Sequence, residues 1–273
     1  RVVRLGPVLD TILAAHAYPA PIKHLLAEAL VLTALIGSLL KDEDGQLTMQ
    51  AQTEGGIVDL LVCDYRNVEL RGYVRHDETR LAGVGVSPSL QALFGKGYLA
   101  ITFDLAASGQ RYQGIVPLEG ASLSDACEHY FVQSEQVPTL IRVAVRSDGT
   151  HCVAGGLLVQ HLAEGEEGRG RLHVQLDHPE WEHVAVLAGS TRHDELVDPA
   201  LSMEALVWRL FHEEPEVRVI KGRDLSRGCR CSMDHYRSII ARFPDEEQAA
   251  MRDERGVIVV DCAFCSRLFE IVD

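Results

Sequence analysis

Four cysteines stand in two tight pairs near the C-terminal end, Cys229-x-Cys231 and Cys262-x-x-Cys265, and they decide how the last part of the chain can fold. From Glu216 onward large apolar side chains are sparse, and a unit below roughly 60 residues is marginal by burial alone. Four thiolates delivered from two turns can surround one tetrahedral ion, the arrangement of structural zinc sites. The spacing therefore predicts one bound zinc held by Cys229, Cys231, Cys262 and Cys265. Its unusual part is the first pair, because zinc ribbons space their sulfurs with two to four intervening residues. A single intervening residue crowds the sulfurs, which points to a site built to change. Arg218, Lys221, Arg223, Arg227 and Arg230 surround that pair, opposed mainly by Asp224, and positive neighbours favour the reactive thiolate. Exposed arginines contribute weakly, however.

At 273 residues and 47% hydrophobic, the chain is expected to form one main folded domain with an appendage. A net charge of -14 repels phosphate backbones and anionic lipid, so nucleic-acid and membrane binding are disfavoured. No signal peptide opens the sequence, and clustered cysteines without a disulfide framework fit a cytoplasmic setting with metal or redox chemistry. The longest apolar stretch, Ala29 to Ile36 within a helix-like run from Pro21 to Leu40, is interrupted by Lys23, His24, Glu28 and Gly37. A membrane span needs about 20 predominantly apolar residues. The run reads instead as a helix buried on nearly every side.

Beyond it the period changes to two. Leu47, Met49 and Ala51 alternate with polar residues, Gly55-Gly56 interrupts, and Ile57 to Tyr65 and Val68 to Arg75 complete an antiparallel meander. Further strands are expected at Tyr98 to Asp104, Tyr112 to Leu118, Thr139 to Arg146 and His151 to Leu162. The last two are joined by Ser147-Asp148-Gly149-Thr150, a hairpin turn. Ser122 with Asp125 forms a capping-box pattern opening a helix that must stop before Pro138. Strands in two groups with interleaved helices predict an α+β fold. The charged, glycine-rich Glu164 to Gly170 stretch marks a flexible junction. After it come two apolar helices, around Trp181 to Ala188 and, capped by Ser202, around Leu206 to Phe211. The expected division is a core domain at 1–165, a helical linker at 166–215 and a zinc domain at 216–273.

Other motifs weigh less. His235, separated from Cys231 by three residues, reads as a helix-surface histidine rather than a substitute ligand. Cys63, Cys127 and Cys152 fall in strand or helix patterns and read as inert buried thiols. Cys127 and His129 are two apart on a helix, so nucleophile and base could not meet. Gly95-Lys96-Gly97 lacks the phosphate-loop pattern, and Asp42-Glu43-Asp44-Gly45 lacks the later glutamate of a calcium loop. No catalytic residue is singled out, and the chain is not expected to be an enzyme.

Longer stretches carry a resemblance: His16-Ala17-Tyr18-Pro19, Arg71-Gly72-Tyr73, Gly114 to Leu118, Glu128 to Pro138, Leu210-Phe211-His212-Glu213 and the two cysteine pairs, 30 residues apart. Over its whole length the chain resembles the redox-regulated bacterial heat-shock chaperones of about thirty-three kilodaltons. That resemblance implies an N-terminal domain of layered sheets around a buried helix, a helical linker draped over it, and a zinc domain. It implies an ATP-independent holdase, inactive when reduced and zinc-bound, that binds unfolding proteins under oxidative stress. Activation would form disulfides Cys229 to Cys231 and Cys262 to Cys265, release zinc, unfold the linker and yield a homodimer. In the reduced state Trp181, Leu187, Trp208 and Phe211 are expected to help cover the client surface, since an exposed patch of that kind would be sticky. The alternative from another class is a zinc-ribbon accessory factor that binds nucleic acid, against which the acidic charge argues. A thiol-disulfide oxidoreductase using Cys262-x-x-Cys265 lacks the surrounding βαβ pattern.

Overall fold

A single helix sandwiched between two sheets organises the molecule. The structure, a computed structural model, describes residues 1–42, 44–85, 87–162 and 179–272. Strand β1 (Val2–Leu5) and helices α1 (Pro7–Leu13) and α2 (Ala20–Gly37) open the chain. Next come β2 (Gln46–Thr53), β3 (Val58–Arg66), β4 (Glu69–His76), the short α3 (Glu78–Leu81) and α4 (Leu90–Phe94), then β5 (Gly97–Leu105) and β6 (Gln110–Pro117). Helix α5 (Leu123–Tyr130) runs into a π-helical turn, Phe131–Glu135, and is followed by β7 (Thr139–Ser147) and β8 (Cys152–Gln160). Helices α6 (Pro179–Gly189), α7 (His193–Val197) and α8 (Met203–Phe211) precede β9 (Ser226–Arg227), α9 (Met233–Ile240), α10 (Asp245–Ala250), β10 (Ile258–Asp261) and β11 (Leu268–Ile271).

Strands β6-β5-β2-β3-β4 form an antiparallel sheet that β9 extends in parallel at its edge, while β1-β8-β7 form a second sheet. Helix α2 packs against both sheets, with Ile22, Leu26, Leu30, Leu32, Leu35 and Ile36 essentially inaccessible. That is why its sequence is apolar around the whole circumference. By length and composition it could cross a membrane, yet here its partners are strands on either side. The alternation expected for β2 is observed as a strict inward-outward pattern from Gln46 to Thr53. The expected meander is β2-β3-β4, with β5 returning to the free side of β2.

Ser122 caps α5 through the backbone of Asp125, whose carboxylate reaches back in the reciprocal bond. On the outer face of the small sheet, Ala144 and Leu157 meet Ala188, Leu196, Val197, Leu206 and Leu210 in a second apolar cluster. Layers thus run α6–α8, three strands, α2, six strands. The glycine-rich junction expected at Glu164 to Gly170, and with it the boundary at 165/166, lies outside the described residues.

Candidate metal centre

Cys229 and Cys231 lie between β9 and α9. The strand before them is fixed by backbone bonds, Ser226 N–H donating to Val68 O (3.0 Å) and Gly228 N–H to Leu70 O (3.0 Å). Ser232 follows as the cap of α9, accepting from His235 N–H, so the chain turns sharply through the pair. Cys262 and Cys265 occupy the loop between β10 and β11. The N–H groups of Cys265 and Ser266 converge on Cys262 O at 3.2 and 2.7 Å, and Cys262 N–H donates to Arg267 O at 2.9 Å. Ser266 takes the left-handed conformation (φ 55°) that closes the knuckle.

The two turns bring all four sulfurs within 4.8 Å of one another. Cys229 and Cys231 are 3.3 Å apart, Cys229 and Cys262 3.6 Å, Cys231 and Cys265 3.5 Å. A zinc ion bonded at 2.3 Å to four tetrahedral sulfurs would separate them by about 3.8 Å, so this donor set and spacing fit that ion. The four thiols are unequal. Burial pushes Cys262 up, but hydrogen bonds from the Tyr236 hydroxyl and from the Phe264 and Cys265 backbone overcome it and hold Cys262 at about 7. Burial and shared S–H contacts raise Cys231 and Cys265.

His235 sits on the first turn of α9 with its ring against Tyr236, and the sulfur cluster does not include it. Cys63 and Cys127 are wholly enclosed, and burial raises both thiols. Cys152 is pushed up to about 11, first by burial and then by Asp10. Three of the five basic residues expected around the first pair find other partners. Arg230 reaches Asp64 (3.3 Å), Arg223 bonds Asn67 (3.0 Å) and Arg218 pairs with Glu216 (2.6 Å).

These bonds disclose a contact that no periodicity or motif signals: the cysteine module docks on β4. Asp64, 3% exposed, takes Arg71 at 2.6 Å as well as Arg230. Phe264, inside the second cysteine pair, stands edge-on to Tyr73 at 4.9 Å, with the Arg71 guanidinium 3.9 Å from its ring centre. Ser266 bonds the His16 ring at 3.1 Å. His16, Arg71 and Tyr73 all belong to stretches on which the resemblance rested.

In α6–α8, Trp181 is half-buried and stacked on His161, Leu187 and Phe211 are half-buried, and Trp208 is 62% exposed beside His212. The short helix α7, absent from the periodicity, anchors these helices. Arg4 donates to Leu196 O (2.8 Å), Leu201 O (2.7 Å) and Glu195 O (2.9 Å), and Arg146 to Val197 O (2.8 Å).

Known proteins resemble this chain along nearly its whole length. A chaperonin of 33 kDa from Caulobacter vibrioides is 42% identical over 279 residues, covering 99% of this chain and 89% of its own. The Escherichia coli protein of that name is 33% identical over 273 residues, covering 99% and 87%. The crystal structure of the Thermotoga maritima 33 kDa chaperonin, a homologue of heat shock protein 33, superposes with a TM-score of 0.80 at 21% identity, covering 99% of this chain and 89% of that one. The sequence pattern of the Hsp33 protein family matches residues 1–271. With the fold, the four gathered cysteines and relatives along its full length in agreement, this chain belongs to the Hsp33 family of chaperones.

Proposed function

We propose that this chaperone is a redox-regulated holdase whose cysteine cluster keeps it idle while reduced. The observation that carries the reading is the sulfur quartet in a module with almost no apolar core. Helices α9 and α10 bury no residue, and the module's buried side chains among the described residues are Ile258, Cys262, Phe269 and Ile271. Cys229, Cys231, Cys262 and Cys265 hold one zinc ion. When bound, zinc supplies a cross-link worth about 10–16 kcal/mol near neutral pH in comparable small sites, as much as many whole domains possess.

Each cysteine pair can give up two electrons to a peroxide, joining sulfur to sulfur while the O–O bond breaks and oxygen leaves as water or hydroxide. Cys229 joins Cys231 and Cys262 joins Cys265. A disulfide sulfur no longer serves as a thiolate ligand, so the module loses its order. Residues 1–165 form the chaperone core, 166–215 the releasable linker, with Trp181, Leu187, Trp208 and Phe211 contributing to its cover, and 216–273 the switch. Freed of that cover, the protein dimerises and holds unfolding clients in the cytoplasm without nucleotide.

The test measures metal content, free thiols and suppression of client aggregation before and after peroxide. Expected are loss of one zinc, loss of four thiols and a gain of holdase activity. Full metal retention in an activated sample rejects the mechanism. Equal protease cleavage across 179–220 in both states would reject linker release.

A further inference from the structure

The edge of β4 is where the cysteine module meets the core, and its backbone is built to accept a strand. Alternate residues Val68, Leu70, Gly72 and Val74 turn their peptide groups outward. Val68 O and Leu70 O are taken by Ser226 and Gly228. At the far end the Tyr18 hydroxyl both donates to Val74 O and accepts from Val74 N–H, each at 2.9 Å. Between them β9 contributes only two paired residues, Ser226 beside Glu69 and Arg227 beside Leu70. An edge closed by so short a partner becomes a template for an extended chain once that partner leaves, and strand addition is an established mode of peptide recognition.

The segment seated there shows what the edge selects. Leu225 packs on the main core, Ser226 and Arg227 face solvent, and Gly228 is buried where a Cβ would collide with the Glu69 side chain. Val68, a β-branched residue at φ 61°, begins the edge in a conformation that costs about 1–3 kcal/mol. We propose that the β4 edge is a binding site for an extended segment of a non-native polypeptide, parallel to β4, with an aliphatic residue, two variable residues and a small one. Residues 225–228 of the chain's own module occupy that site and so compete with clients. The proposal rests on the holdase reading for the identity of its ligand. A longer segment reaching Val74 would exchange the Tyr18 hydroxyl for backbone bonds and make more of them than β9 does. Loss of order in the module withdraws the competitor.

A peptide of residues 222–228 with a benzophenone photo-cross-linker in place of Leu225 tests this on the full reduced, metal-loaded chain. The Leu225→Ser, Ser226→Pro double variant removes the anchor and one donor without touching a cysteine. Cross-linking to residues 68–74 is expected to rise at least tenfold over the unaltered chain. The same peptide N-methylated at Ser226 and Gly228 is expected to lose that gain. Equal yields in both chains, or an undiminished yield with the methylated peptide, overturns the site. Should the variant fail to fold, the peroxide-treated unaltered chain gives the same comparison, with hydrogen exchange at Leu70 and Gly72 slowed by the peptide if the site is real. A peroxide-activated chain that protects clients but neither cross-links nor is inhibited by the peptide refutes the edge and leaves the holdase standing. A freed edge that binds the peptide in a chain peroxide cannot activate does the reverse.

Discussion

Asp64 shows how much one side chain can hold. Its carboxylate accepts from the Thr48 hydroxyl and from two guanidiniums, one from its own sheet and one from the cysteine module. Replacing it with alanine leaves Arg71 and Arg230 without their shared partner, and breaking such a buried pair costs about 3–5 kcal/mol. Urea unfolding should register that loss for Asp64→Ala, while Arg230→Ala, which spares the Arg71 pair, should chiefly speed hydrogen exchange at 226–230. Glu28 gives a pH-dependent case. Burial raises its carboxyl above the usual range, and the Ser124 N–H and hydroxyl, both at 3.4 Å, pull back less strongly. A raised carboxyl disfavours the ionised form in the fold, so its stabilising contribution is present below the unfolded value and lost as pH rises through the folded one. Glu28→Gln should therefore raise the melting temperature at pH 7 and leave it unchanged at pH 4. The sequence marks Glu28 only as an interruption in an apolar run. The groups that shift it arrive from nearly 100 residues away.

Among elements, the strands and long helices are legible because period and caps act locally. Ser202 accepts from Ala205 N–H as its position implies, and Ser202→Ala should cost about 1 kcal/mol, seen as faster exchange across 203–211. The hairpin between β3 and β4 turns through Asn67 and Val68, at φ 48° and 61°, where the favoured pair is Asn-Gly. Val68→Gly should stabilise the fold by about 1 kcal/mol on thermal melting, the relief of strain exceeding the entropy lost. Strand β1, helix α1 and helix α7 escaped the pattern reading. They are short, and their order comes from distant partners: β1 pairs with residues 154–157, and α7 is gripped by Arg4 and Arg146. The cysteine quartet was readable as a set from spacing alone, whereas its seat on β4 was not. Phe264 between Arg71 and Tyr73 is a contact across almost two hundred positions, which leaves no periodic trace.

At the scale of the whole molecule, the two apolar clusters and the cysteine module differ in what holds them. Chelation under reducing conditions should release amide protection across 216–272 and along the outward groups of β4. The inner strands β2, β3 and β5, buried against α2, should keep theirs; a global melt on chelation would show instead that the module and core are one cooperative unit. The first strand carries a consequence for synthesis. It is translated well before its pairing partner, which spans Ala154–Leu157, and before the carbonyls at 195–201 on which its Arg4 closes. At ribosomal speeds of about 5–20 residues per second, β1 waits roughly 10–30 s for its neighbour to emerge. A chaperone's own small sheet thus keeps one strand unpaired until residues 154–157 have been made.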